Sequence, residues 1–146
     1  MILDKLLRMS NAQAVTASAA STDVIDLGVL TDIGEGREIE LLVQVGTAFT
    51  AAGAATMTVA LQGSVDNSTF TDMAVTRAIP VASLTAGATL FNISVPPVGT
   101  GQAHPRYLRM NYTVATGPMT AGTVTAALLL DRQNATAYAP GIVVAN

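Results

Sequence analysis

From residue 12 onward the chain alternates apolar and polar positions, and glycine, proline, asparagine or aspartate interrupts the alternation at roughly ten-residue intervals. Between Arg37 and Val45, Ile39, Leu41, Val43 and Val45 share one parity, and Glu38, Glu40 and Gln44 take the other. That is a strand with one buried and one wet face. The same period places Met57, Val59 and Leu61 inward within Thr56 to Gln62, and Leu108, Met110, Tyr112 and Val114 inward within Tyr107 to Val114. Within Thr123 to Asp131 it groups Val124, Ala126, Leu128 and Leu130. Weaker strands are expected at Ala14 to Thr16, Val24 to Leu27, Ala74 to Ile79 and Leu90 to Val95. Turn residues at Gly34 and Gly36, Gly53, Asp66 and Asn67, Gly87, Gly99 and Gly101, and Gly117 with Pro118 separate them. The pattern predicts an all-β chain, an antiparallel β-sandwich of jelly-roll type with about eight strands.

Two segments stand outside this alternation. The first thirteen residues present Ile2, Leu3, Leu6, Leu7 and Met9, with a helical candidate at Ile2 to Met9 too short to be stable without docking. Residues 134–146 carry Pro140 and Gly141 followed by Ile142, Val143 and Val144. The expected division is an N-terminal arm at 1–13, a sandwich at 14–133 and a C-terminal arm at 134–146. Apolar side chains in such segments either clasp a neighbour or pack on their own sandwich.

Composition narrows the function. A chain of 146 residues forms one core without staples. Aromatics are 4% with no Trp, so that core is built from small side chains. Charged residues are only 12%, against roughly 25% in ordinary soluble domains, which points to surface covered by copies or partners. The net charge of −3 and the scattered basic residues argue against nucleic-acid binding. Without cysteine, disulfides, thiolate metal sites and cysteine nucleophiles are excluded. No apolar run approaches a membrane span, and MILDKLLRMSNAQAV lacks the apolar stretch of a signal peptide; synthesis in a cytoplasm without export is expected. The Asn-x-Ser/Thr tripeptides at Asn67, Asn92, Asn111 and Asn134 then follow from a Thr-rich sequence.

Candidate chemistry is thin. His104, in VPPVGTGQAHPRY, has Ala103 and Pro105 as neighbours and no nucleophile or acid beside it. Asp32, Glu35, Glu38 and Glu40 form an acidic cluster without EF-hand spacing. The glycines of GEG and GTG lack the helix and lysine of a phosphate cradle and read as turns. Phe49 and Phe70 lie near strand ends, where capping the core is expected over stacking on a ligand. No cofactor, no metal and no enzymatic activity are expected. The polar loop at Gln102, His104 and Arg106 is a candidate for partner contact.

Three stretches carry a resemblance: NAQAVTASAASTDVIDLG, LLVQVGTAFTAAGAATMTVALQGSVDN and YLRMNYTVATGPMTAGTVTAALLLDRQN. Together, from about Asn11 to Asn134, they resemble the jelly-roll cement, or decoration, proteins of tailed-bacteriophage capsids. The first ten residues, the loop Val95 to His104 and the tail depart from that pattern. The resemblance implies a homodimer, or else another homo-oligomer, that binds the major capsid protein on the outer surface of the virion and stabilises the shell, with no nucleic-acid or membrane partner. The expected contact residues are Ile2, Leu3, Leu6, Leu7, Met9, Gln102, His104, Arg106, Ile142, Val143 and Val144. The competing classes are a carbohydrate-binding jelly roll on a phage surface and a neck or tail connector.

Overall fold

The computed structural model describes residues 3–28, 39–95 and 104–130. In chain order its strands are β1 (Arg8–Ala14), β2 (Ala19–Ala20), β3 (Ile25–Asp26), β4 (Glu40–Val45), β5 (Thr50–Ala51) and β6 (Thr56–Ser64). They continue as β7 (Thr71–Val75), β8 (Ile79–Pro80), β9 (Thr89–Ser94), β10 (Tyr107–Ala115), β11 (Met119–Ala121) and β12 (Thr123–Leu129). The only helical elements among the described residues are 3-10 turns at Lys5–Leu7 and Val81–Ser83.

Two antiparallel sheets carry the fold. The first runs β1-β12-β4-β9; in the second, β10 pairs with β2 and β3 on one side and β6 on the other, and β6 also pairs with β7 and β8. Since β2 with β3, and β7 with β8, each share one neighbour, the sheets hold four strand positions apiece. The chain crosses from sheet to sheet at nearly every step, with only β6 and β7 joined as a hairpin, and this is the jelly-roll order. A third ladder, β5 with β11, closes one end.

The parity read from the sequence sets the core. Leu41, Val43 and Val45 from β4, Met57, Val59 and Leu61 from β6, Leu108, Met110 and Tyr112 from β10, and Val124, Ala126 and Leu128 from β12 are buried together. Buried Met9, Met57, Met110 and Met119 supply flexible bulk in a chain without Trp. Phe49 seals the β5–β11 end by lying flat on Gly122, whose φ of +135° and lack of a side chain leave room for the ring.

Four expectations change. The first strand is Arg8–Ala14, which begins inside the stretch assigned to the arm, because a bulge hides its alternation: the register on β12 shifts between Ser10 and Gln13, and Ala12 has φ 46°. The helical candidate shrinks to one 3-10 turn, with Asp4 Oδ1 accepting from the Leu6 N–H at 2.9 Å. Ile39 and Leu130 have inward parity, but they sit past the last paired residues and are exposed. Phe70 is not in the core; its ring lies 3.7 Å from the Arg109 guanidinium on the outer side of the second sheet.

Candidate docking surface

The registers place one end of both sheets together. In the first sheet Glu40 pairs with Leu129 and with Ser94, so Ile39 and Leu130 leave the sheet side by side, and Arg8 opposite Ala127 puts Leu6 just beyond them. In the second sheet Tyr107 pairs with Ser64 and with Asp26, so Val65 and Leu27 flank the same terminal row. Residues 46–55 join β4 to β6, and 116–122 join β10 to β12, at the opposite end. Leu6, Leu130, Val65, Leu27 and Ile39 are therefore presented at one end, with 80%, 64%, 54%, 46% and 41% of their surfaces open. Large apolar side chains so open are ordinarily scattered singly, as Val24 and Val75 are, and the collection of these five at one end makes it the candidate contact surface.

The contact residues expected from sequence divide into three groups. Ile2, Gln102, Ile142, Val143 and Val144 lie outside the described residues. Leu6, His104 and Arg106 reach the surface at this end. Met9 does not: it is fully buried in the protein's own core, and Leu7 packs against that core. Leu3 covers Leu42, Ala127 and Leu129, a small apolar cluster on the outer face of the first sheet. Among the described part of the N-terminal arm, own-sandwich packing thus takes Leu3, Leu7 and Met9, and only Leu6 projects free. Sequence reasoning missed Leu27 and Val65, and placed Ile39 and Leu130 in the core. The available signal was their position at strand ends beside Gly28, Asp66, Glu40 and Asp131.

The model of the Bbp16 family matches residues 9–128. The chain belongs to the Bbp16 family. No curated protein matches it. The Bbp16 match spans every strand position of the two sheets except Arg8 and Leu129, so it covers the jelly roll as a unit. Of the apolar end, Leu27, Ile39 and Val65 fall inside the Bbp16 match, while Leu6 and Leu130 fall outside it.

Around these apolar groups the Bbp16 chain places a fixed polar rim. Arg106 clasps Asp26 in a two-pronged pair, Nε to Oδ1 at 2.7 Å and the second nitrogen to Oδ2 at 2.8 Å. That guanidinium, helped by the Gly28 N–H, holds the Asp26 carboxyl down at about 2. Arg106 also lies 5.0 Å from the centre of the Tyr107 ring. Nearby, Asp66 Oδ1 accepts from the Ser68 and Thr69 N–H groups, each at 2.9 Å; these bonds lower its pKa and fix the loop that carries Val65. On the outer face of the second sheet, Arg109 donates to Gln62 and Gln62 to Asp72, a polar ladder across three strands. Among the described residues no three His, Cys, Asp or Glu side chains converge as a metal site, and no helix is long and apolar enough to cross a membrane.

Proposed function

We propose that this Bbp16-family chain is a cement, or decoration, protein: a non-enzymatic virion component made in the host cytoplasm. It binds the major capsid protein on the outer surface of a tailed-phage shell as a homodimer and stabilises that shell. The observation that carries this reading is the apolar end built on a jelly roll of the Bbp16 family. A surface of separate leucines, isoleucine and valine with a neutralised Arg–Asp rim suits burial against a protein face. Copy number turns a modest contact into a firm one. A protein that binds the assembled shell and not its dissociated parts stabilises the shell by mass action.

The carbohydrate-binding reading needs a bare aromatic platform. Among the described residues, Phe49, Phe91 and Tyr112 are buried, and Arg109 and Arg106 lie on the rings of Phe70 and Tyr107. The deciding experiment adds purified protein to shells stripped of it and follows shell melting and co-sedimentation. Saturable binding with a raised melting temperature supports the proposal; binding with unchanged shell stability, or none, sinks it.

A further inference from the structure

The loop from β6 to β7 carries Val65, Asp66, Asn67, Ser68 and Thr69, all exposed. Of the described asparagines, Asn11, Asn92 and Asn111 lie within strands, and Asn67 is the one in a turn. Its backbone is left-handed, with φ 56°, a conformation that asparagine tolerates better than most residues. Its side-chain amide makes no hydrogen bond among the described residues. Ser68, which follows, has a small side chain that gives little steric cover to its own backbone nitrogen. We infer that Asn67 is a deamidation site of this protein, and that the Asp66 carboxylate restrains it by holding the backbone nitrogen that would attack.

The reaction needs only water. The Ser68 nitrogen gives up its proton and attacks the Asn67 side-chain carbonyl carbon. A new C–N bond forms, the bond to the amide nitrogen breaks, and ammonia leaves carrying that proton. Water then opens the cyclic imide at either carbonyl, giving aspartate or isoaspartate, and nothing is oxidised or reduced. Two events must come first: the Ser68 N–H has to lose its proton, and the peptide between 67 and 68 has to turn its nitrogen toward the Asn67 side chain.

Asp66 opposes both events. Its Oδ1 accepts from the Ser68 N–H and from the Thr69 N–H, each at 2.9 Å, so the attacking nitrogen is directed at a carboxylate and its proton is held by a negative oxygen. The Ser64 hydroxyl donates to the same oxygen at 2.8 Å and ties the turn to the end of β6. The Thr69 and Ser68 bonds, ahead of the one from Ser64, hold the Asp66 carboxyl below its usual range. The acceptor therefore stays ionised through the neutral and alkaline range in which the reaction runs. The strand asparagines are shielded in other ways: Tyr112 sits in the β10–β6 ladder, the Ala12 N–H donates to Thr125 Oγ1, and Ile93 crowds its own nitrogen with a β-branched side chain. Conversion of Asn67 places a second negative charge next to Asp66, in the loop that holds Val65 at the apolar end, and isoaspartate also lengthens that loop's backbone. The chemistry does not depend on what that end binds.

The test incubates the intact protein and a free peptide of residues 64–70 at mildly alkaline pH and follows conversion at Asn67 by peptide-mapping mass spectrometry and an isoaspartate assay. The folded protein is expected to convert more slowly than the peptide. Asp66→Ala should convert about fivefold faster than the parent protein, the size of one solvent-exposed hydrogen bond. Adding Ser68→Val to Asp66→Ala should slow it again, because a β-branched side chain crowds the attacking nitrogen. Val59→Ala, weakened in the core with the turn intact, controls for general loosening and should convert as the parent does. The inference is overturned if the parent converts as fast as the peptide, if Asp66→Ala is no faster or its conversion does not map to Asn67, or if Val59→Ala gains as much. Shell binding does not enter this experiment, so failure here leaves the cement proposal standing, and the reverse.

Discussion

Tyr112 ties the two sheets together, and alkaline unfolding should reveal it. Its hydroxyl lies 2.8 Å from Ser10 Oγ, and Ser10 Oγ lies 2.7 Å from Gln13 Oε1. Gln13 Nε2 donates to the Ala20 carbonyl at 2.8 Å, which fixes the amide with its oxygen toward Ser10. That oxygen can only accept, so Ser10 gives its proton to Gln13 and the phenol donates to Ser10. The relay crosses from β10 in one sheet to β1 in the other, and the bulge in β1 is what turns Ser10 and Gln13 to the same side.

Burial pushes the Tyr112 phenol from 10.0 up to about 12, with the Ser10 hydroxyl partly opposing the shift. The folded state favours the neutral phenol. This contribution is therefore complete below the unfolded value of about 10 and is lost as pH rises through about 12. A shift of about two pKa units corresponds to about 2.7 kcal/mol in full, and about 1.4 kcal/mol is already lost at pH of about 11. Tyr112→Phe should cost about 1 kcal/mol at neutral pH, because Ser10 keeps Gln13 as a partner. It should also flatten the alkaline decline. Urea unfolding of both proteins between pH 8 and 11 measures the difference directly, and the other tyrosines cancel in the comparison. If the two stability curves stay parallel through that range, Tyr112 is not the buried donor described here.

Three further outcomes can be checked. Gly122→Ala puts a methyl group into the Phe49 ring at a left-handed backbone position and should destabilise by about 2–3 kcal/mol, read by thermal melting. Leu41→Ala, at the centre of the core, should cost about 2–5 kcal/mol by denaturant titration. Asp26→Asn should remove the part of acid unfolding that falls between pH of about 4 and about 2, since the pair with Arg106 is present above the ordinary carboxylate value and lost as the held-down carboxyl is protonated. Circular dichroism against pH for the two proteins gives the answer, with superimposable curves as the refuting result.

The strand centres were legible because a period of two needs only local sequence. Leu41, Val43, Met57, Val59, Leu61, Leu108, Met110 and Val124 all face inward as their parity requires. Parity fails where the backbone leaves the ladder. At Ser10 to Gln13 a bulge lets residues three apart share a side, which alternation assigns to opposite faces. At Ile39 and Leu130 parity is intact but both lie past the last paired row of β4 and β12. Parity reports direction and says nothing of coverage. The apolar end was invisible for another reason: Leu6, Leu27, Val65 and Leu130 are far apart in the chain, and only the sheet registers gather them. Phe70 was misplaced because whether a ring at a strand end turns in or out depends on its cross-strand neighbour, here Arg109.

The low charge of the chain takes on meaning in this geometry. A jelly roll buries one face of each sheet and leaves the other faces, two edges and two ends to be solvated. Here one end is sealed from within, Phe49 lying on Gly122 under the β5–β11 ladder, and part of the first sheet's outer face is covered by Leu3. The β1 edge is bulged, and the second sheet's outer face carries the Arg109–Gln62–Asp72 ladder. Among the described residues, what is left apolar and open is chiefly the opposite end, with Leu6, Leu130, Val65, Leu27 and Ile39, besides Val24, Val75 and Ile93. A protein of few charges can still ring an apolar end with them, as Glu40, Asp66, Asp26 and Arg106 do here. This one commits its best-formed ion pair, Arg106 with Asp26, to the rim of the apolar end, where it neutralises the border without covering the leucines. That distribution favours binding through broad surfaces over chemistry in a pocket, and it makes Leu130→Asp the sharpest single change: the domain should melt as before, since Leu130 is open to solvent, while co-sedimentation with shells is lost. If Leu130→Asp binds shells as well as the parent protein does, the docking surface lies elsewhere.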